Sequence, residues 1–299
     1  MAEGRAWRRL ALLAVLALPF AAAPAFAQGT GGPTAAPPEL EAAPRAARAF
    51  AFEGALRVLT AYVSRGFVNE DEGVVVQPEG QVVYTFVDRQ GGSLAALAGG
   101  FASIHSEATD VEDPDGALDR WFELAGWVGL ALDVGRLSIT PYYELSDSPS
   151  GAGSLAQEAA LLVAWNDAGW WHERFSISPR LLLVRETEGA ADGGENGTYL
   201  GLGLEPAVAI PTERLGELRV WLPLELGLSL ADYYEDEKGR DERFGYGSIG
   251  GFVSAPVPFL PGAAALELGT RHTWFGDHAR EANGERGIWI GSLGLSFAY

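Results

Sequence analysis

From residue 50 to the C-terminus the chain repeats one pattern: short segments in which apolar and polar residues alternate. Between Glu217 and Ala231, Leu218, Val220, Leu222, Leu224, Leu226, Leu228 and Leu230 share one face, while Arg219, Trp221, Glu225 and Ser229 share the other. A period of two is the period of a strand with one greasy and one wet side. Elsewhere Val76, Val82, Tyr84 and Phe86 oppose Gln77, Glu79, Gln81 and Thr85, and Leu137, Ile139 and Tyr143 oppose Ser138, Thr140 and Tyr142. The pattern predicts about twelve strands, near 50–65, 74–87, 93–105, 120–133, 136–146, 155–166, 171–186, 197–210, 217–231, 244–256, 262–275 and 287–299. In 93–105 and 155–166 both faces are apolar or small, so the pattern there is ambiguous. Each segment has about ten residues or more, enough to cross a bilayer at a tilt.

The connections also alternate. Those at 88–92 and 134–135 are short, and those at 66–73, 106–119, 147–154, 187–196, 232–243 and 276–286 are long, acidic or both. Short turns at one end and long loops at the other are the rhythm of an outer-membrane barrel. A soluble β-sandwich alternates too, but its wet face meets solvent and carries more charge than these faces do. Aromatic residues stand at the ends of the apolar stripes: Tyr62, Phe122, Tyr143, Trp274 and Trp289 toward the loops, Phe86, Phe175, Phe297 and Tyr299 toward the turns. Rings in that position make two interfacial girdles. The expected fold is an all-β, antiparallel transmembrane β-barrel over residues 49–299, in contact with outer-membrane lipid.

The N-terminus reads differently. Arg5, Arg8 and Arg9 precede an apolar core from Leu10 to Phe20, and Ala25-Phe26-Ala27 follows as a small-residue cleavage site. Residues 1–27 are therefore expected to be a secretory signal peptide, because Pro19 and Pro24 break the run and it is too short for a spanning helix. Gln28 to Arg48, rich in Ala, Pro and Gly, is expected to be a periplasmic linker. No other apolar stretch is long enough for a transmembrane helix.

Composition narrows the chemistry. The 299 residues include no Cys, which excludes disulfides and thiolate metal sites. The formal net charge of −19 excludes a nucleic-acid partner bound through a basic face. Charges on the lipid face cost a few kcal/mol each, so mid-strand charges must face the lumen. The inward set is Arg57, Arg65, Arg174, Arg180, Arg219 and Arg271 against Glu53, Glu79, Glu123, Glu144, Glu186, Glu205, Glu225 and Glu267. These residues could form a selective constriction, or pair off and brace a filled interior. The acidic loops, Glu70-Asp71-Glu72, Asp110 to Asp119 and Asp232 to Glu242, predict a mild cation preference at the outer mouth. They lack the spacing of a calcium loop. The four His have no metal-ligand spacing, and no cofactor is expected. Ser103 and His105 stand two apart, in the reverse of the order used by outer-membrane phospholipases, and His272 has no Ser two residues on. No catalytic residue is therefore expected.

One segment carries more than general barrel grammar. Leu59-Thr60-Ala61-Tyr62-Val63-Ser64-Arg65-Gly66 resembles the Tyr-x-x-Arg-Gly opening of the TorF-like porins, proteobacterial outer-membrane proteins. The resemblance implies a transport-type barrel without catalytic residues. It would make Arg65 an inward residue at the extracellular rim and Gly66 a turn-permitting one. The last strand, with Leu293, Leu295, Phe297 and the final Tyr299, has the form read by the outer-membrane assembly machinery. Together these features predict a passive channel for small hydrophilic solutes or cations in the outer membrane of a Gram-negative cell. The alternative is a plugged structural or surface-interaction barrel.

Overall fold

A computed structural model describes residues 50–107, 118–151, 155–189, 196–235 and 239–299. The predicted signal peptide, the linker and the centres of the acidic loops, including Asp110 to Asp115, lie outside the described residues.

The strands are β1 (Phe50–Leu59), β2 (Tyr62–Ser64), β3 (Phe67–Glu70), β4 (Val75–Arg89), β5 (Gly92–His105), β6 (Trp121–Val134), β7 (Leu137–Asp147), β8 (Ala156–Trp165), β9 (Phe175–Ser176), β10 (Arg180–Glu188), β11 (Thr198–Leu204), β12 (Ala207–Thr212), β13 (Gly216–Trp221), β14 (Leu224–Ala231), β15 (Phe244–Pro256), β16 (Ala263–Phe275) and β17 (Gly287–Ala298). One short helix, α1 (Asp277–Asn283), lies between β16 and β17, where the sequence suggested only loop. All pairings are antiparallel, and β17 pairs back onto β1, so the sheet closes on itself. Counting β9 with β10, β11 with β12 and β13 with β14 gives a twelve-stranded barrel. Closure matters because an open sheet edge would leave backbone donors and acceptors unmet in lipid.

The three split strands share a feature. Pro179, Pro206 and Pro223 fall in the breaks, and proline removes a ladder donor. The sheet stays joined across the row because carbonyls at the breaks still accept. Trp165 N donates to Pro179 O at 3.0 Å, Leu222 N to Pro206 O at 2.9 Å and Gly250 N to Pro223 O at 2.9 Å. The Asp167 carboxylate takes up Ile177 N and Ser178 N beside the first break, where Ser178 has a φ of 47°.

Along the strands burial alternates. In β6 Trp127 is buried and Val128, its neighbour, is 60% exposed; in β16 Arg271 is buried and Leu268 exposed. Apolar residues thus face lipid, and the interior takes both aromatic and charged side chains. Val128→Arg would put a charge near the middle of a lipid-facing strand, at a cost of about 2–4 kcal/mol. We expect a clear fall in heat-modifiable folded monomer. Insertion equal to that of Val128→Leu would show the faces to be reversed.

The start of β1 and the C-terminal residue lie at the end of the barrel that carries the tight turns, with Tyr299 N donating to Phe52 O. The opposite end carries the long loops. The sequence suggested that the first strand runs through residue 65. Instead β1 stops at Leu59, and residues 60–74 turn into the lumen from the loop end.

Candidate functional site

The departure from the wall is fixed at Thr60, whose amide donates to Gly291 O at 3.1 Å and whose hydroxyl accepts from Gly291 N at 2.9 Å. Strands β2 and β3 then form a separate two-stranded hairpin. Its turn is Arg65-Gly66, with φ values of 46° and 91°. Two consecutive left-handed residues make the turn type whose twist suits a tight hairpin. Glycine adopts that conformation freely; arginine does so at a cost that surrounding contacts must offset.

Those contacts are numerous. Arg65 donates through Nη1 and Nη2 to the two carboxylate oxygens of Glu158, at 2.5 and 2.6 Å. Nη1 also donates to the Tyr233 hydroxyl at 2.8 Å. The guanidinium lies 5.4 Å from the Tyr199 ring centre and 5.8 Å from that of Tyr233. The Tyr234 hydroxyl donates to the Arg65 carbonyl at 2.8 Å. Asn283, at the end of α1, donates to Gly66 O and accepts from Val68 N. Phe67 packs on Tyr234 and meets the edge of His278. At the base of the hairpin Tyr62 donates to Glu123, and the Glu70 carboxylate lies 3.1 Å from His105 Nδ1.

His105 Nε2 is also 3.1 Å from Ser103 Oγ. Ser, His and Glu thus stand in the order of a hydrolytic triad. Ser103 is fully buried and Glu70 belongs to the hairpin, so the cluster ties hairpin to wall.

The wall that receives Arg65 is unusual. Glu144 of β7 lies directly opposite Glu158 of β8, and Glu158 lies directly opposite Glu186 of β10. Three inward carboxylates therefore stand abreast on neighbouring strands, all buried. Side chains so paired have Cβ atoms about 4.5–5.5 Å apart, and like charges there repel. On the adjacent β6 Trp127 lies opposite Glu144, and Glu123 stands nearer the loop end, within electrostatic reach of both Glu158 and Arg65. Tyr142, buried beside Glu144, has a hydroxyl with no hydrogen-bond partner in the structure.

Halfway down, a second charged group brackets the lumen. Arg57 pairs with Glu79, and Glu267 lies within reach of Arg57. Arg219 donates to Glu205 at 2.8 Å, and Arg180 lies 3.8 Å from Glu205 and 4.0 Å from Glu225. Arg271 and the Tyr246 hydroxyl both donate to Glu225. The chain Arg219–Glu205–Arg180–Glu225–Arg271 thus braces β10 to β16. Toward the turn end the lumen opens into a cavity of about 300 Å³ lined by Arg174, Phe175, Ser176, Arg219 and Ser254, among others.

Two of the residues expected in the aromatic girdle are elsewhere. Tyr62 is fully buried on the hairpin. Phe122 stacks on His105 at 5.0 Å and meets Tyr62, because a bulge at Ser103/Ile104 changes the pairing of β5 with β6. Arg65, expected at the rim of a wall strand, is at the tip of the hairpin. Phe86, Tyr143, Trp274 and Trp289 are exposed on the outer face. Phe175 lies opposite outward Val208, and Phe297 packs against Phe52 over Gly54. Leu295 lies outward opposite Leu56 and Leu266, and Tyr299 is half exposed. Sequence reasoning put Tyr142 on the wet face without a role and passed over Glu158, Tyr199, Tyr233 and Asn283. One signal was available for Glu158: it is an acid inside the otherwise apolar segment 155–166.

Fold and lumen together define an outer-membrane type of β-barrel. No family model matches the chain and no curated protein does, so the TorF-like resemblance rests on its motif alone. Among solved structures, the chain is similar to the COG4313 outer membrane channel from Pseudomonas putida F1, at 12% identity, with 85% of this chain and 97% of that one covered and a TM-score of 0.49. It is also similar to the NanC porin, at 8% identity, with 83% and 99% covered and a TM-score of 0.40. A third is LpxR from Salmonella typhimurium, at 8% identity, with 82% and 99% covered and a TM-score of 0.41.

Proposed function

We propose that this protein is an outer-membrane channel for small hydrophilic solutes, held closed by its own first loop. The observation that carries the reading is the β2–β3 hairpin. It occupies the lumen at the loop end, and its grip on the wall is part polar, with Arg65 on Glu158, Tyr62 on Glu123, Glu70 on His105 and Asn283 on the turn, and part apolar, with Tyr62, Val63, Phe67 and Val68 packed into the interior cluster. The polar part of that grip can be exchanged for water when the segment moves, while the apolar part opposes release and keeps openings rare. Below the hairpin the wall is charged on both sides and a cavity leads to the turn end. With the turn end on the periplasmic side, that cavity faces the periplasm and the hairpin guards the outer mouth.

The same hairpin favours a second reading, a permanently plugged barrel with a structural or surface role. Planar-bilayer recordings separate the two. We expect rare openings from the intact protein and frequent, larger steps when residues 62–70 are replaced by a short Gly-Ser linker. If the linker variant folds and inserts but gives no steps, the plugged reading holds. Reversal potentials under a KCl gradient should show cation preference in the linker variant, because the vacated wall keeps Glu123, Glu144, Glu158 and Glu186. The acidic loops would act only within a Debye length, roughly 8 Å at physiological salt. Preference that survives near 1 M salt therefore assigns the filter to these buried carboxylates and not to the loops.

A further inference from the structure

We propose that the row Glu144–Glu158–Glu186, with the tyrosines around it, is a binding site for a guanidinium-bearing solute, and that Arg65 occupies it as an internal stand-in. The inference rests on the channel reading for its role but not for its test.

The argument begins with cost. Three carboxylates in direct cross-strand register repel one another, and burial raises that cost because the dielectric is low. A wall meant only to be filled could carry apolar residues at these positions, as β8 does at Ala160 and Leu162 just below. Of the three, Glu186 accepts from Gly197 N at 2.6 Å, and Glu158, the middle acid, meets a cation. The cation it meets is not from the wall. Arg65 arrives from β1's side of the ring, five strands away through β4, β5, β6, β7 and β8, on a hairpin with its own separate sheet.

The fit is specific for a planar fork. Glu158 is the middle acid of the row, and both its oxygens accept from Arg65, one from each terminal nitrogen. Such two-pronged pairing suits guanidinium and not a compact ammonium. Tyr199 and Tyr233 offer ring faces at 5.4 and 5.8 Å, a range where a cation is attracted to the ring. The occupant does not use everything the site offers. The Tyr142 hydroxyl is buried by the row without a partner, and the occupant's own Nε finds no acceptor. A hydroxyl left over beside the acids is a group that a freely placed ligand could engage and the tethered Arg65 does not. A soluble guanidinium compound that competes for the row would displace Arg65 and so release the hairpin tip. The solute would then act as its own key.

Agmatine is a suitable probe, a small guanidinium compound with an amine at its far end. Calorimetry on the refolded barrel in detergent reads binding directly, whether or not the barrel conducts. We expect agmatine to bind Arg65→Ala, to bind the unmodified protein roughly tenfold or more weakly because the site is filled, and to lose a similar factor in Arg65→Ala/Glu158→Gln. Putrescine, which lacks the fork, should bind Arg65→Ala more weakly than agmatine. If Arg65→Ala does not fold, shown by loss of heat-modifiable mobility, Arg65→Gln vacates the guanidinium site and still reaches Tyr233. Failure of agmatine to bind the folded variant would overturn the inference, as would equal binding after Glu158→Gln or equal binding of putrescine. Conductance answers separately. A hairpin-free barrel that conducts but ignores agmatine leaves the channel reading standing without this one. Binding in a barrel that never conducts leaves the site and removes the channel.

Discussion

Glu158→Ala is expected to lower the stability of the folded barrel by about 3–5 kcal/mol, the usual penalty for leaving one member of a buried ion pair alone. Both side chains of the pair are nearly inaccessible, at 7% for Arg65 and 10% for Glu158. The stranded guanidinium would keep Tyr233 and two tyrosine faces but lose both charged acceptors. The hairpin should loosen first, because its tip is held there and its turn contains an arginine in the left-handed region. Denaturant unfolding in detergent should show the loss, and limited proteolysis within residues 60–74 should become fast. Arg65→Ala/Glu158→Ala should recover much of the stability, since it removes both members of the pair. An unchanged midpoint in Glu158→Ala would mean that the ion pair does not hold the plug.

The second large effect concerns two adjacent residues on β14. Leu224→Arg and Glu225→Arg should both fail to assemble normally, for opposite reasons. Leu224 lies on the outer face, where arginine costs about 2–4 kcal/mol near the membrane midplane. From the sequence alone, Glu225→Arg would seem a mild change of lumen charge. The structure makes it severe. Glu225 lies 3.3 Å from Arg271, 4.0 Å from Arg180 and accepts from the Tyr246 hydroxyl at 2.8 Å. Reversal would gather three guanidinium groups and break a buried pair, a loss of about 3–5 kcal/mol. A charge swap tells the two apart. Adding Arg271→Glu should restore folded monomer to Glu225→Arg and do nothing for Leu224→Arg. Rescue of both, or of neither, would place these side chains wrongly.

The strand count, the closure and the inward placement of charge were legible because a period of two is local and lipid enforces it at every step. The hairpin was not. Tyr62-Val63-Ser64 continues the strand pattern of Leu59, and nothing in alternation distinguishes a wall strand from one that has turned into the lumen. The available sign was Arg65-Gly66 between Ser64 and Phe67, a two-residue turn. Asn or Asp usually marks the first position of such a turn, and the arginine hid it. Phe122 was misplaced because a single-residue bulge reverses what parity predicts downstream. The acid row was illegible for a different reason. Glu144, Glu158 and Glu186 become neighbours only when three strand registers are known, and Tyr233 and Asn283 reach the hairpin from loops. No spacing in the chain records such meetings.

The row of prolines has a mechanical consequence. Where Pro179, Pro206 and Pro223 interrupt adjacent strands, one flank of the cylinder is built in two storeys. The ion-pair chain from Arg219 through Glu205, Arg180 and Glu225 to Arg271 crosses that belt. Side chains on the lumen face thus act as a girder where the backbone ladder is interrupted, and the charge inside the barrel stands in for hydrogen bonds that proline removed from its wall.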